Sequence, residues 1–196
     1  MEQTRPTPLA FGERFGPQQS DLVVAILGAS YLDALLEDLL KTRVIADRKS
    51  KVVTRPGFVR RAETAFALGL LSRDSLDDLH AIAEIRNHFA HKVLDAEASF
   101  RDTEVAALSA KLSSSRAAAD PESRPVMKEW GYEVDNPRAL FIEAMTACAS
   151  EITHRIEHAP EQGVTEAEPT RRLGLIEWQA VAEIVRRLDA RDKQRR

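Results

Sequence analysis

Leu76-Asp77-Asp78-Leu79-His80-Ala81-Ile82-Ala83-Glu84-Ile85-Arg86-Asn87-His88-Phe89-Ala90-His91 is the stretch whose reading decides the fold. Leu79, Ile82, Ala83 and Ala90 recur at steps of three, four and seven, the period of a helix with one face on a core. A half-buried strand would alternate at every second residue instead. The spacing predicts a helix from about Asp74 to Val93, entered through Ser72-Arg73-Asp74-Ser75, whose short polar side chains suit a helix start. Arg86 falls at the centre of the apolar stripe, where a charge needs a partner.

The same period extends to both sides. Upstream, a helix is predicted from Ser20 as N-cap to about Ile45, with Leu22, Ile26, Ala29, Leu36 and Leu40 in its stripe and Asp33 in their midst. Residues 46–57 are polar and end in Arg55-Pro56-Gly57, a loop, before a second helix from about Phe58 to Leu71. Downstream, a short helix is expected near 103–112, then mobile loop through Ser113-Ser114-Ser115 and from Asp120-Pro121 to Pro125. Asn136-Pro137 starts a fourth long helix that carries Leu140, Phe141, Ala144, Met145, Cys148, Ile152 and Ile156. The expectation is therefore all-α: a bundle of four to six helices over residues 19–159. Around it stand an irregular arm at 1–18, a linker at 160–172 and an amphipathic C-terminal helix at 173–196 with a basic end.

Composition narrows the class. In 196 residues, 43% are apolar and 30% charged, which argues against general disorder, and only 6% are aromatic, which favours helices over a sandwich. No apolar run approaches a membrane span, and no signal peptide opens the chain, so a cytoplasmic address and no membrane partner are expected. The lone Cys148 excludes an internal disulfide framework and a cysteine zinc site. With no glycine-rich phosphate loop, no cofactor is expected. Net charge is −3, but residues 171–196 hold eight basic and four acidic side chains, so the body before them is acidic. An acidic body is a poor platform for direct DNA binding; the basic end could supply some of it, but suits a solvated helix C-terminus better than a phosphate backbone.

Within the deciding stretch, Arg86, the polar Asn87 and His91 five residues after the arginine resemble the R-x4-H signature of the HEPN superfamily of helical domains. Residues 20–102 also resemble the mannitol-operon-repressor-like family of small bacterial helical proteins. That likeness rests on Gly28-Ala29-Ser30-Tyr31-Leu32-Asp33, Phe58, Ala65-Phe66-Ala67-Leu68-Gly69-Leu70-Leu71, Leu79, Ile82, the Ile85–His91 segment and Ser99-Phe100. The family implies a non-enzymatic regulator in transcriptional or operon control, acting as a helical homodimer through contacts with an unidentified protein. The HEPN likeness implies the alternative, a metal-independent endoribonuclease of a toxin or defence system. In such proteins two protomers bring their motif helices together on RNA. His91 would then be the general base on the ribose 2′-hydroxyl, Arg86 would stabilise phosphate charge, and Asn87 would position either group.

Side-chain geometry restricts both readings. Residues five apart on a helix point about 140° from each other, so Arg86 and His91 of one chain cannot form one compact site. His91 instead shares a face with His80, Glu84 and Asn87, a polar face suited to a symmetric dimer contact. Arg86, facing the bundle, is expected to pair with Asp33 across the first and third helices, with Glu37 as the substitute carboxylate. Other candidates are weaker. His154 and His158 have a metal-binding spacing but no evident third ligand, and Trp130-Gly131-Tyr132 reads as a loop anchor.

Overall fold

A computed structural model describes residues 7–12, 15, 18–43, 56–92 and 98–158. The described residues are helical or irregular, with no strand among them. We number the helices α1 (Pro8–Gly12), α2 (Asp21–Lys41), α3 (Phe58–Ala67), α4 (Arg73–His91), α5 (Thr103–Ser109), α6 (Ser113–Ala119), α7 (Ser123–Glu129) and α8 (Pro137–Glu157).

The three long helices begin where their sequences supply an acceptor for orphan amides. Ser20 Oγ accepts from the Val23 amide at 3.4 Å, and Ser72 Oγ from the Ser75 amide at 3.2 Å. Asn136 Oδ1 accepts from Arg138 and Ala139, with Pro137 at the first turn, where its missing N–H costs nothing. The end of α3 is set by Gly69, whose φ of 70° is open to glycine at little cost. Gly69 and Leu70 donate back to the Phe66 and Ala65 carbonyls and close the helix in a Schellman turn, short of the expected Leu71.

The core is a three-helix contact among α2, α4 and α8. Leu32, Leu36 and Leu39 meet Leu79, Ile82, Ile85 and Phe89, and Phe141, Met145 and Ile152 close the third side. A run of tilted rings, Phe89 to Phe100 at 5.2 Å and Phe100 to Phe141 at 4.9 Å, fills the end where α4 leaves the bundle. Helices α2 and α8 approach closely at Gly28, where an added Cβ would lie 2.5 Å from Met145 Sδ.

Three further expectations change. Of the two stretches expected as mobile loop, Ser113–Ser115 begins α6 and Asp120 to Pro125 runs into the start of α7; these helices bury Ala117, Ala118 and Met127 in a small second core with Val134 and Leu140. The serines there are helix starters, and α6 takes its cap from a distant residue: the Asp78 carboxylate of α4 accepts from the Ser113 amide at 2.9 Å and its hydroxyl at 2.7 Å. The N-terminal arm is also not wholly irregular. Its α1 lies across α2 and α8, with Phe11 stacked on Tyr31 at 3.8 Å. Helix α2 ends at Lys41, earlier than the expected Ile45, which lies outside the described residues, as do the linker at 160–172 and the helix at 173–196.

Candidate functional site

Asp33 and Arg86 do not pair. The partner of Asp33 is Arg61 of α3, whose Nη1 bonds Asp33 Oδ1 and whose Nη2 lies 3.2 Å from Glu37 Oε2. Arg61 is 7% exposed, so its charge is matched by two carboxylates on successive turns of α2. Both carboxylates of the sequence reading are used; the arginine is a different one. Arg61 lies between Phe58 and Ala65 on the inward face of α3, and that placement in an apolar row was the available signal.

Arg86 is exposed instead, because its stripe loses its cover along the helix. Leu76, Leu79 and Ala83 are buried, whereas Arg86 and Ala90, further along the same side, are not. The real core face of the second half of α4 is Ile82, Ile85 and Phe89. The small alanines at 83 and 90 gave the sequence stripe its direction, and alanine is a poor reporter of burial. Arg86 Nη1 donates to Asn87 Oδ1 at 3.0 Å and makes no ion pair among the described residues.

Asn87 and His91 are exposed as well, and with Glu84 and the half-buried His80 they share one outward face of α4. Among the described residues, His80 Nε2 is buried without a hydrogen-bond partner, and the one ion pair of Glu84 is with Lys111, at 3.9 Å. The structure thus places the four on one face and sets Arg86 off it, as the helical period requires.

His88, inside the same motif, has acidic neighbours that the sequence reading did not assign. Its Nδ1 lies 3.1 Å from Glu104 Oε2, and its Nε2, without a hydrogen-bond partner among the described residues, lies 3.6 Å from Asp102 Oδ2, so the ring sits between the end of α4 and two carboxylates at the start of α5. Lys92 reaches Asp102 too, at 3.5 Å. Desolvation pushes the Asp102 carboxyl up, but the Ser99 amide, Lys92 and His88 outweigh it and hold Asp102 below the ordinary carboxylate range. The other end of α4 is fixed by Glu151 of α8, which accepts from the Ser72 amide at 2.8 Å and from the hydroxyls of Ser72 and Ser75.

Beside Arg86 a cleft of about 410 Å³ opens between α2, α3 and α4. Ser30 and Asp33 line it from α2, Phe58 and Arg60 from α3, and Arg86 and Asn87 from α4. Arg60 is mostly solvent-exposed and has Glu63 at 3.5 Å. Asp33 presents an engaged Oδ1, while its Oδ2 has no hydrogen-bond partner among the described residues. His91 is not part of the cleft lining.

His154 and His158 bring their rings to 4.3 Å, but no group of three potential metal ligands occurs among the described residues. No described helix is long and apolar enough to cross a membrane. No protein-family model, curated protein or solved structure matches this chain.

Proposed function

We propose that this chain is a HEPN-like helical bundle acting as a metal-independent endoribonuclease, with a site completed by a second copy. The observation that carries the reading is the joint exposure of Arg86, Asn87 and His91, with Arg86 held by Asn87 rather than by a carboxylate. Tying helices together, the competing use for that guanidinium, is the work of Arg61.

In the proposed reaction, the His91 imidazole takes the proton of a ribose 2′-hydroxyl. The 2′-oxygen attacks the adjacent phosphorus, the bond to the 5′-oxygen breaks, and the imidazolium returns its proton to that leaving oxygen. The products are a 2′,3′-cyclic phosphate and a 5′-hydroxyl end. Arg86 and Asn87 donate to the phosphoryl oxygens as charge builds there. Because Arg86 and His91 point apart on one rod, the arginine of one copy works with the histidine of the other, across a contact centred on α4.

A second reading is a non-enzymatic regulator resembling the mannitol-operon-repressor-like proteins and working through protein contacts. It is favoured by Val23 and Leu27, 37% and 49% exposed and one turn apart on a stretch of α2 without charge between Asp21 and Asp33. The acidic balance of residues 1–170 points the same way.

The deciding experiment incubates end-labelled RNA in EDTA with wild type, His91→Ala and Arg86→Ala, each first shown by sedimentation to be dimeric. The ribonuclease reading expects cyclic-phosphate products from wild type and a loss on the order of a hundredfold or more in His91→Ala. No cleavage by a dimeric wild type would remove that reading and leave the regulator.

A further inference from the structure

We infer that the cleft between α2, α3 and α4 is a nucleotide site that selects guanine, with the base edge on Asp33 and the phosphate on Arg86. The inference takes from the ribonuclease reading only the assignment of Arg86 to a phosphate.

Size admits such a ligand. About 410 Å³ is ample for one base with its sugar and phosphate and falls within the range of small-molecule sites. The lining has the required mixture. Phe58 with Ala29 and Ala83 supplies apolar surface for a flat ring, and the polar groups stand to either side of it. Arg86 and Arg60 supply positive charge, and Asn87, whose Oδ1 is taken by Arg86, keeps its amide N–H groups as donors.

Asp33 sets the base preference. Arg61 balances its charge and occupies one lone pair of Oδ1, so the carboxylate is fixed in place and keeps Oδ2 and the second lone pair of Oδ1 as acceptors without repelling a phosphate strongly. An acceptor-only group favours a base that offers adjacent donors. Guanine presents N1–H and N2–H₂ side by side on its Watson–Crick edge. Adenine and cytosine present one amino group next to a ring-nitrogen acceptor, which a carboxylate opposes, and uracil presents a single N–H. A site built to receive two donors rejects ligands that lack one, because its own oxygen is then left unpaired.

One chemistry, a guanine with a nearby phosphate, has two sources: a free nucleotide or a residue within RNA. Calorimetric titration of the full chain with GMP, AMP, CMP, UMP and inorganic phosphate tests the site itself. GMP is expected to bind at least about tenfold tighter than the other three. Asp33→Asn, in which Arg61 retains Glu37, should bring GMP and AMP within about threefold of each other. Ser30→Trp fills the cleft from an exposed position without touching an ion pair and should abolish binding while circular dichroism stays unchanged. GMP binding is read with no RNA present, so it stands whether or not RNA is cleaved, which separates this site from the proposed catalysis. GMP binding without RNA cleavage assigns the free nucleotide, and cleavage confined to one side of guanines assigns RNA; both support the cleft. Equal affinity for the four nucleotides, or wild-type binding by Ser30→Trp, would overturn it.

Discussion

The two halves of α4 carry the same alternation of apolar and charged residues and meet opposite surroundings. In the first half, Leu76, Leu79 and Asp78 are buried, and even the carboxylate of Asp78 is fully enclosed. In the second half, Arg86, Asn87, Ala90 and His91 are exposed, while only Ile82, Ile85 and Phe89 stay on the core. What separates the halves is supplied from elsewhere in the chain. Glu151 of α8 and Ser113 of α6 bring partners to the first half, whereas α2 and the short α3 leave a cleft beside the second. A polar residue on a helix is therefore structural or available according to its neighbours in space, and periodicity alone does not tell which.

The largest expected effect tests the covered half. Asp78→Ala removes the acceptor for the Ser113 amide and hydroxyl and leaves the start of α6 without a cap. We expect a loss of about 3 kcal/mol, because buried donors are left unpaired and a small void forms. Arg86→Ala, on the uncovered half, should cost no more than about 0.5 kcal/mol, as for other surface substitutions. Urea unfolding of the two variants side by side measures the contrast. Equal losses would mean that the halves do not differ energetically, whatever their exposure.

The next effect concerns the two arginines. Arg61→Ala leaves Asp33 and Glu37 facing each other without a cation, both only about one-third exposed. Partial solvent screening reduces the cost below that of a fully buried pair, to about 2 kcal/mol. A double-mutant cycle of Arg61→Ala with Asp33→Ala should show coupling, and the same cycle with Arg86 in place of Arg61 should show none. Coupling of Asp33 to Arg86 alone would restore the pairing that the sequence first suggested.

These two tests bear on how much of the molecule was legible in its sequence. The three long helices and their caps at Ser20, Ser72 and Asn136 could be read directly, because a cap and the run it starts are neighbours in the chain. The motif residues were legible as a set, and so was the outward face of His80, Glu84, Asn87 and His91, which follows from helical spacing. The partner of Asp33 was not. On α2 almost every residue from Leu22 to Leu40 is apolar, so the stripe had no sharp direction and Asp33 could be turned toward either neighbour. Helices α6 and α7 were hidden for a related reason. Their serines and prolines read as loop, and the carboxylate that caps α6 lies 35 residues away. The approach of His88 to Asp102 and Glu104 likewise brings two helices together across a connection that carries no local pattern.

The smallest effect extends the comparison from α4 to the buried carboxylates. Asp78 is enclosed but receives two donors from Ser113, whereas Glu143, on α8, is half-buried with no hydrogen-bond partner among the described residues. Desolvation pushes the Glu143 carboxyl up to about 7, and the same burial, with Glu143 nearby, pushes the Tyr132 hydroxyl up. In the unfolded chain the Glu143 carboxyl has its ordinary value of 4.5, so between those two values the folded state binds more protons. Its contribution to stability is thus fully present below about 4.5 and is lost as pH rises through about 7. After discounting for its partial exposure, we expect wild type to lose on the order of 1 kcal/mol from this group between pH 5 and pH 8. Glu143→Gln keeps the shape and removes the charge, so its urea midpoint should exceed that of wild type at pH 8 and approach it at pH 5. Every other ionisable group is common to both proteins and cancels in the difference. A pH-independent difference between the two would place the Glu143 carboxylate among the well-solvated groups and align it with the uncovered half of α4 rather than with Asp78.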